Sequence, residues 1–181
     1  MNAPKDDGFA IWMTGLPGAG KSTLSQLVRA RLEADYGRRV EILDGDEVRK
    51  GLSRDLGMTR ADREEHARRV SYVAKLLARN RVIPIVALIS PYETSRVNAR
   101  EVIGADRFVE VFVKAPLELC KKRDPKGLYA KALRGEIKDM TGIQDPYEEP
   151  PTPDLIVDTS GSEPQESAME LVDGLRRLGR L

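Results

Sequence analysis

The segment Gly15–Thr23, with the sequence GLPGAGKST, has residue types and spacing suited to phosphate binding. It matches the pattern G-x-x-x-x-G-K-[ST], in which backbone N–H groups surround the phosphates of a nucleotide. Lys21 would reach the β- and γ-phosphates, and Ser22 would offer its hydroxyl to Mg²⁺. The glycines leave room for the phosphates because they have no Cβ. The segment therefore predicts a nucleotide-binding loop made of Gly15, Leu16, Pro17, Gly18, Ala19, Gly20, Lys21, Ser22 and Thr23.

The run DGDEVR supplies two carboxylates and a guanidinium group at short spacing. Asp44 and Asp46 are expected at the carboxyl end of a strand, where open α/β sheets bind their ligands. Asp44, with Ser22, would organise Mg²⁺, and Asp46 would accept the proton of an acceptor hydroxyl. Arg49 follows Asp46 by three residues and could hold an anionic group of a substrate. The alternative is a helix N-cap with a solvated ion pair, which the same residue types form.

These side chains need a framework, and the apolar runs indicate one. Runs typical of buried strands are FAIWMT (Phe9–Thr14), RVEILDGD, VIPIVALIS, RFVEVFV and LIVDT. Helical segments lie between them: one follows the glycine-rich loop and ends near Gly37, and one begins at the capping sequence after Thr59. The alternation predicts an α/β chain, namely a P-loop NTPase-type three-layer fold with a five-stranded parallel sheet flanked by helices. A strand before the loop and a helix after it also argue against a chance glycine-rich turn.

One segment, residues 124–150, does not fit this alternation. It is dense in proline, glycine and charge, and its apolar periodicity is weak. Compact domains seldom keep such long irregular segments unless they act as lids or binding loops. We therefore expect a lid that is mobile without ligands, within a single domain spanning residues 1–181. A solvated connector is the alternative.

Composition excludes several classes of protein. A formal net charge of +1 gives no electrostatic footprint for nucleic acid or an anionic membrane. The single cysteine, Cys120, cannot form an intramolecular disulfide and fits a reducing compartment. The start, MNAPKDDGF, lacks the apolar stretch of a signal peptide, and VIPIVALI is too short to cross a bilayer. We expect a soluble, cytoplasmic protein with no nucleic-acid or membrane partner.

The glycine-rich loop alone does not separate a kinase from a GTPase switch or a motor. The guanine-specific sequence N-K-x-D is absent from the chain, and the chain is small for a mechanical ATPase. A small-molecule kinase needs a carboxylate near the acceptor hydroxyl and a lid that excludes water. Both have candidates here, so a small-molecule kinase is favoured over a nucleotide-dependent regulatory module.

At this point the sequence resembles the adenylylsulfate kinase (APS kinase) family. The resemblance rests on GLPGAGKST, LDGDEVR, DREEHARR, LISPY, the late DT and, most specifically, RDPKGLYAKALRGEIKDMTGIQDPYEEP. It covers nearly the whole chain. It implies transfer of the γ-phosphoryl group of ATP to the 3′-hydroxyl of APS, with Mg²⁺, a mobile lid and usually a homodimer.

The resemblance also implies roles for single residues. Arg49 and Arg63 would grip the phosphosulfate group of APS, which suits the planar guanidinium. Ile89 and Ser90 would line the substrate site. In the family this serine is often described as a phosphoserine intermediate, but we expect direct in-line transfer, which requires only positioning and charge neutralisation. The alternative for Ser90 is a hydroxyl at a strand end before Pro91.

Lid residues receive roles in the same way. Lys126 and Leu128 of KGLY would contact the substrate, and Arg123 would lie near the adenine or phosphates of ATP. We assign catalysis to Lys21, Asp46 and Ser90, and substrate binding to Asp44, Asp46, Arg49, Met58, Arg63, His66, Ile89, Ser90, Lys126, Leu128 and Met140.

Three positions depart from the family's commonest pattern. Many members have Phe, which sandwiches the adenine of APS, where this chain has Met58 and Met140, and many have Asn where it has His66. Methionine can still cover a flat ring, and the histidine could replace Asn as a hydrogen-bond donor. The alternatives are that the methionines fill gaps in packing and that His66 is a surface residue. The acceptor could then be another nucleotide-linked or anionic small molecule.

Overall fold

The computed structural model describes residues 8–181. Five strands and seven α-helices form in this part of the chain, with a short 3₁₀ helix at Ala105–Arg107. In chain order they are β1 Ala10–Thr14, α1 Lys21–Tyr36, β2 Arg39–Asp44, α2 Gly45–Gly51, α3 Arg60–Arg79, β3 Val82–Ala87, α4 Glu93–Ile103, β4 Phe108–Lys114, α5 Leu117–Arg123, α6 Leu128–Leu133, β5 Leu155–Asp158 and α7 Pro164–Arg177.

The strands form one parallel sheet in the order β2-β3-β1-β4-β5. This confirms the predicted α/β fold with five parallel strands. Side chains of β1 alternate between the two faces, as the two-residue period of a strand requires. Ile11 and Met13 pack in the core that includes residues of α1 and α7, whereas Ala10 and Trp12 pack with residues of α3 and α4.

Local signals set two helix boundaries as predicted. Thr59 caps α3 in a reciprocal capping box with Asp62, and this satisfies backbone N–H groups at the helix start. Gly37 ends α1 with φ 60°, a left-handed conformation in which glycine has no Cβ penalty.

Three expectations need correction. The first strand begins at Ala10, so Phe9 precedes it, although Phe9 is buried. Asp46 is not at a strand end, because β2 stops at Asp44 and Asp46 lies in the first turn of α2. The segment 124–150 is not wholly irregular, since it contains α6 and a buried Tyr129.

Of the two expectations about membranes, the structure bears on the one about membrane-spanning segments only. Within residues 8–181, no helix combines the length and apolar character needed to span a bilayer. The expectation for MNAPKDDGF concerns residues 1–7 for the most part, and these lie outside the described residues.

Candidate active site

The glycine-rich loop connects β1 to α1 at the carboxyl edge of the sheet. Gly20 is the N-cap of α1, so the first N–H groups of that helix face the loop. A Cβ on Gly15 would lie 2.4 Å from the carbonyl oxygen of Val113, and one on Gly18 would lie 2.9 Å from that of Cys120. These glycines are therefore required for packing against β4 and α5, as well as for access to phosphate.

Lys21 is buried within this loop. Its Nζ donates to the carbonyl oxygens of Gly15 at 2.6 Å and Leu16 at 2.8 Å. Burial lowers the pKa of Lys21 to about 8. The loop thus holds the ammonium group with two of its own carbonyls, which are weaker partners than phosphate oxygens.

Asp44 makes hydrogen bonds both to the glycine-rich loop and to Asp46 in the DGDEVR sequence. Its Oδ2 accepts a hydrogen bond from Ser22 Oγ at 2.7 Å, and its Oδ1 accepts from the backbone N–H of Asp46 at 3.1 Å. The second contact makes Asp44 the N-cap of α2, so the capping alternative holds for this residue. The first contact brings together the two residues assigned to the metal.

Asp46 is paired with the segment 124–150. Its carboxylate forms an ion pair and hydrogen bond with Nζ of Lys126, and both side chains are more than half exposed. The hydrogen bond with Asp46 raises the pKa of Lys126. This contact holds the KGLY sequence next to the carboxyl end of β2.

The two arginines assigned to the substrate lie near one another. Arg49 donates to the carbonyl oxygen of Gly57 at 3.0 Å. Arg63 donates to the carbonyl oxygens of Met58 at 2.9 Å and Asp139 at 2.6 Å. Burial, followed by the positive charge of Arg63, lowers the pKa of Arg49. Two guanidinium groups held this close create a positive region beside the loop 52–59 and the lid segment.

Ser90 lies in the turn after β3, with φ 44°. Its hydroxyl is buried and accepts a hydrogen bond from the indole Nε1 of Trp12 at 3.1 Å. The Thr14 hydroxyl donates to the carbonyl oxygen of the preceding residue, Ile89, at 2.7 Å. A buried hydroxyl with an indole donor fits the structural alternative for Ser90 better than a phosphorylated intermediate.

Comparison with known proteins identifies the family. The adenylylsulphate kinase family model matches residues 7–158. The chain belongs to the adenylylsulphate kinase family. It is 51% identical to the adenylyl-sulfate kinase of Halothermothrix orenii over 95% of this chain and 91% of that protein.

Solved structures agree with this assignment. The APS kinase CysC of Mycobacterium tuberculosis, solved in complex with AMPPNP and APS, is 46% identical, with a TM-score of 0.89 over 94% of this chain and 98% of that one. A hexameric APS kinase from Thiobacillus denitrificans is 37% identical, with a TM-score of 0.74 over 97% of this chain and 30% of that one.

The methionines that depart from the common APS kinase pattern lie in different environments. Met58 is 50% exposed, whereas Met140 is 6% exposed and packs in the core on the α1 and α7 side. The two side chains therefore differ in exposure, and a base held between them stays a prediction. The backbone of Met140 is fixed in a turn, since its carbonyl oxygen accepts hydrogen bonds from three following N–H groups and its own N–H donates to Gln144 Oε1. The gap-filling alternative describes Met140.

The third departure from the APS kinase pattern, His66, is buried, so the surface alternative is wrong. Its Nδ1 lies 2.9 Å from the hydroxyl oxygen of Ser53, while Nε2 has no hydrogen-bond partner within residues 8–181. Burial, with the nearby charges of Arg49 and Arg69, lowers the pKa of His66 to about 4. The imidazole is therefore neutral at pH 7.

We expect His66→Asn to reduce the loss of stability in acid. The unfolded histidine binds a proton near pH 6.5, whereas the folded one binds it near pH 4, so protons favour unfolding as the pH falls through this window. The effect amounts to at most about 3 kcal/mol. Denaturant unfolding of both proteins from pH 4 to pH 7.5 measures it. Parallel curves of unfolding free energy against pH would contradict the buried neutral state.

Contacts around Thr159, in the late DT sequence, were not anticipated. Its hydroxyl donates to the carbonyl oxygen of Ala19 at 2.8 Å, and its carbonyl oxygen accepts from Arg123 at 2.5 Å. Arg123 thus holds the back of the glycine-rich loop in this APS kinase family member. Leu128 is partly buried against the core, and Tyr129 donates to the carbonyl oxygen of Pro17 at 2.8 Å. The sequence did offer a signal for these contacts, because Thr159 follows β5 and parallel strands end at the ligand-binding edge of the sheet.

Proposed function

We propose that this chain transfers the γ-phosphoryl group of ATP to the 3′-hydroxyl of APS, giving PAPS and ADP. The observation that carries the proposal is the strand order, in which β3 lies between β1 and β2. The glycine-rich loop, the proposed ATP site, follows β1, and Asp44, at the proposed acceptor site, ends β2. The two sites would therefore lie on either side of the turn that follows β3. In-line transfer requires such an arrangement. Membership of the family and the complex of CysC with AMPPNP and APS support these substrates.

The proposed chemistry assigns one task to each charged group. The oxygen of the acceptor hydroxyl attacks the γ-phosphorus of ATP as its proton passes to Asp46. The bond between the γ-phosphorus and the β,γ-bridging oxygen breaks, and ADP is released. Lys21 moves from the loop carbonyls to the phosphates and neutralises the developing charge. Arg49 and Arg63 bind the anionic bridge of APS. Lys126 leaves its ion pair with Asp46 and binds the substrate instead.

Mg²⁺ is the metal we propose. Ser22 and Asp44 would hold it, because a hydroxyl and a carboxylate 2.7 Å apart provide the oxygen ligands that Mg²⁺ prefers. No cluster of three or more His, Cys, Asp or Glu side chains with metal-binding geometry occurs among residues 8–181. Few protein ligands suit Mg²⁺, which usually keeps waters and binds substrate phosphates. When bound, it neutralises charge on the transferred group.

A second acceptor is favoured by one observation. Met58 is exposed and Met140 is buried, so among residues 8–181 these two side chains do not form an exposed apolar pair. Another nucleotide-linked or anionic small molecule is therefore the second candidate.

The test of the proposed function is ADP formation from ATP and Mg²⁺ with and without APS. Rapid ADP formation that requires APS, with PAPS identified as the product, supports the proposal. Transfer only to a different acceptor would support the second candidate. No transfer despite tight ATP binding would indicate a regulatory module.

Met58→Phe is expected to tighten APS binding, because Met58 is exposed beside Arg63 and an aromatic ring there can stack on the base. The gain is at most about 1–3 kcal/mol, measured as a lower KM for APS at saturating ATP. Phe at position 140 is avoided because it would overpack the core. The control is Leu133→Phe, which adds a ring at a 68% exposed position. Equal KM values for APS in the wild type and Met58→Phe would place the base elsewhere.

Further proposals follow from the same family membership. We propose that residues 1–181 form one domain, that residues 124–150 act as a lid, and that the chain acts in the cytoplasm. A homodimer is the proposed assembly, and the hexameric relative supports oligomerisation in general. The single cysteine fits a reducing compartment.

A further inference from the structure

The turn after β3 occupies the junction between the two proposed substrate sites. In the sheet register, Ala87 at the end of β3 is paired with Met13 of β1 on one side and with Asp44 of β2 on the other. The chain then continues through Ile89 and Ser90. The backbone N–H of Gly15, the first residue of the glycine-rich loop, donates to the carbonyl oxygen of Ile89 at 3.4 Å. The path of this turn therefore affects how the acceptor lies relative to the ATP phosphates.

Ser90 adopts a conformation that requires external support. Its φ of 44° lies in the left-handed region, which is costly for a residue with a Cβ. Three side chains hold it. Trp12 donates to its hydroxyl at 3.1 Å, Arg96 Nη1 donates to its carbonyl oxygen at 2.8 Å, and Thr14 donates to the same oxygen at 3.3 Å.

Arg96 reaches Ser90 from α4 and is itself held by Glu110. Arg96 is 2% exposed and Glu110 is 8% exposed. Glu110 pairs with Trp12 in the sheet register, so it lies on the same face of the sheet as the indole that binds Ser90. The Arg96 Nε and Glu110 Oε1 atoms are 3.0 Å apart. Glu110 thus supplies the counter-charge that a buried guanidinium needs.

The pair is poorly arranged as a source of stability. Neither Arg96 Nε nor Glu110 Oε1 makes a hydrogen bond within the part of the chain that the structure describes, so the contact is an ion pair without good alignment. Burial raises the pKa of Glu110 despite the neighbouring Arg96 and Arg100. Removing two charges from water can cost more than such a contact returns, so the pair is weak evidence for stability. What the pair does provide is a fixed donor beneath the Ser90 carbonyl.

We propose that Arg96, supported by Glu110, is a positioning residue that fixes the Ile89–Ser90 turn for acceptor binding. The proposal rests on the proposed function, because it assumes that the turn borders the acceptor site. Arg96 acts through the Ser90 carbonyl and does not itself contact the reacting atoms.

The test is the double substitution Arg96→Met with Glu110→Leu. Removing both charges together leaves neither buried and unpaired, and apolar side chains of similar volume are usually tolerated in place of a buried ion pair. We expect the double variant to keep its thermal stability and its Kd for ATP. We expect the KM for APS to rise about tenfold, the effect of one lost hydrogen bond.

A matched control uses the same helix. Arg100 pairs with Asp154 at 2.6 Å and its Nη2 lies 3.8 Å from Glu110 Oε2, but its contacts do not include Ser90. Arg100→Met should therefore leave the KM values for APS and ATP within twofold of the wild type. Unchanged KM values in the double variant, or an equal rise for APS and ATP in it, would overturn the positioning role.

A second readout needs no substrate. Trp12 is the only tryptophan of the chain, and its indole binds the Ser90 hydroxyl. Because Glu110 is paired with Trp12 in the sheet register, the comparison includes Glu110→Leu alone, which keeps Arg96. Release of the turn should change the fluorescence emission in the double variant beyond the change in Glu110→Leu, and Arg100→Met should leave it unchanged. A folded double variant whose spectrum matches that of Glu110→Leu overturns the inference whatever the acceptor is. A wild type that does not phosphorylate APS contradicts the proposed function instead, and the fluorescence test of the turn still stands.

Discussion

Replacing Lys21 with alanine is expected to nearly abolish phosphoryl transfer while leaving the fold intact. Lys21 is the cation assigned to the transferred phosphoryl group, and removing a preorganised charge of this kind costs at least about 10²–10³-fold in turnover. The fold should survive because burying the ammonium is itself unfavourable, as the lowered pKa of about 8 indicates. The Gly15 and Leu16 carbonyls lose a donor that water can replace.

Two measurements check this result. Turnover is followed as ADP formation, and the fold is followed as the thermal unfolding midpoint without nucleotide. The matched control is Lys75→Ala, which removes an exposed lysine from α3. A folded Lys21→Ala protein with turnover near that of the control would reject the assignment of the glycine-rich loop as the active site.

Asp46→Asn is expected to lower turnover by about 10²–10⁴-fold, the usual contribution of a positioned general base. The Kd for ATP with Mg²⁺ should change little, because the metal is assigned to Ser22 and Asp44. Steady-state kinetics and calorimetry together separate these effects. If ATP affinity falls sharply while turnover is kept, Asp46 serves the metal and not the acceptor.

The ion pair with Lys126 requires its own control, because Asp46→Asn also removes that pair. Lys126→Met breaks the pair and leaves the carboxylate in place. We expect this variant to raise the KM for APS and to lower turnover less than Asp46→Asn does. Equal losses of turnover in the two variants would mean that closure of the lid, and not proton transfer, accounts for the effect.

Several features follow from the sequence alone because they are set by local rules. The spacing of Gly15, Gly18 and Gly20 and the charge of Lys21 define a phosphate-binding loop wherever a strand precedes it and a helix follows. The alternation of apolar runs with helical periodicity determined the parallel sheet. The capping box at Thr59 determined the start of α3, since its partners lie within four residues.

Other features were decided only by the tertiary structure, because they depend on contacts between distant parts of the chain. Trp12 and Ser90 are 78 residues apart, and Thr14 and Tyr147, whose hydroxyl oxygens lie 2.9 Å apart, are separated by 133. Periodicity within a segment cannot reveal such pairs. The same reason explains why the sequence did not predict the burial of Met140, since which side of a loop faces inward depends on what packs against it.

The sequence predicted a helix at His66 but did not predict that His66 is buried, and it gave no role to Arg96 of α4. Burial of both side chains results from the packing of α3 and α4 against one face of the sheet. Their protonation and hydrogen bonding follow from that packing, because desolvation and charge partners set the free energy of a buried polar group. The sequence by itself therefore determined the phosphate-binding loop and the fold that carries it. The tertiary structure decided which side chains are buried around the acceptor turn.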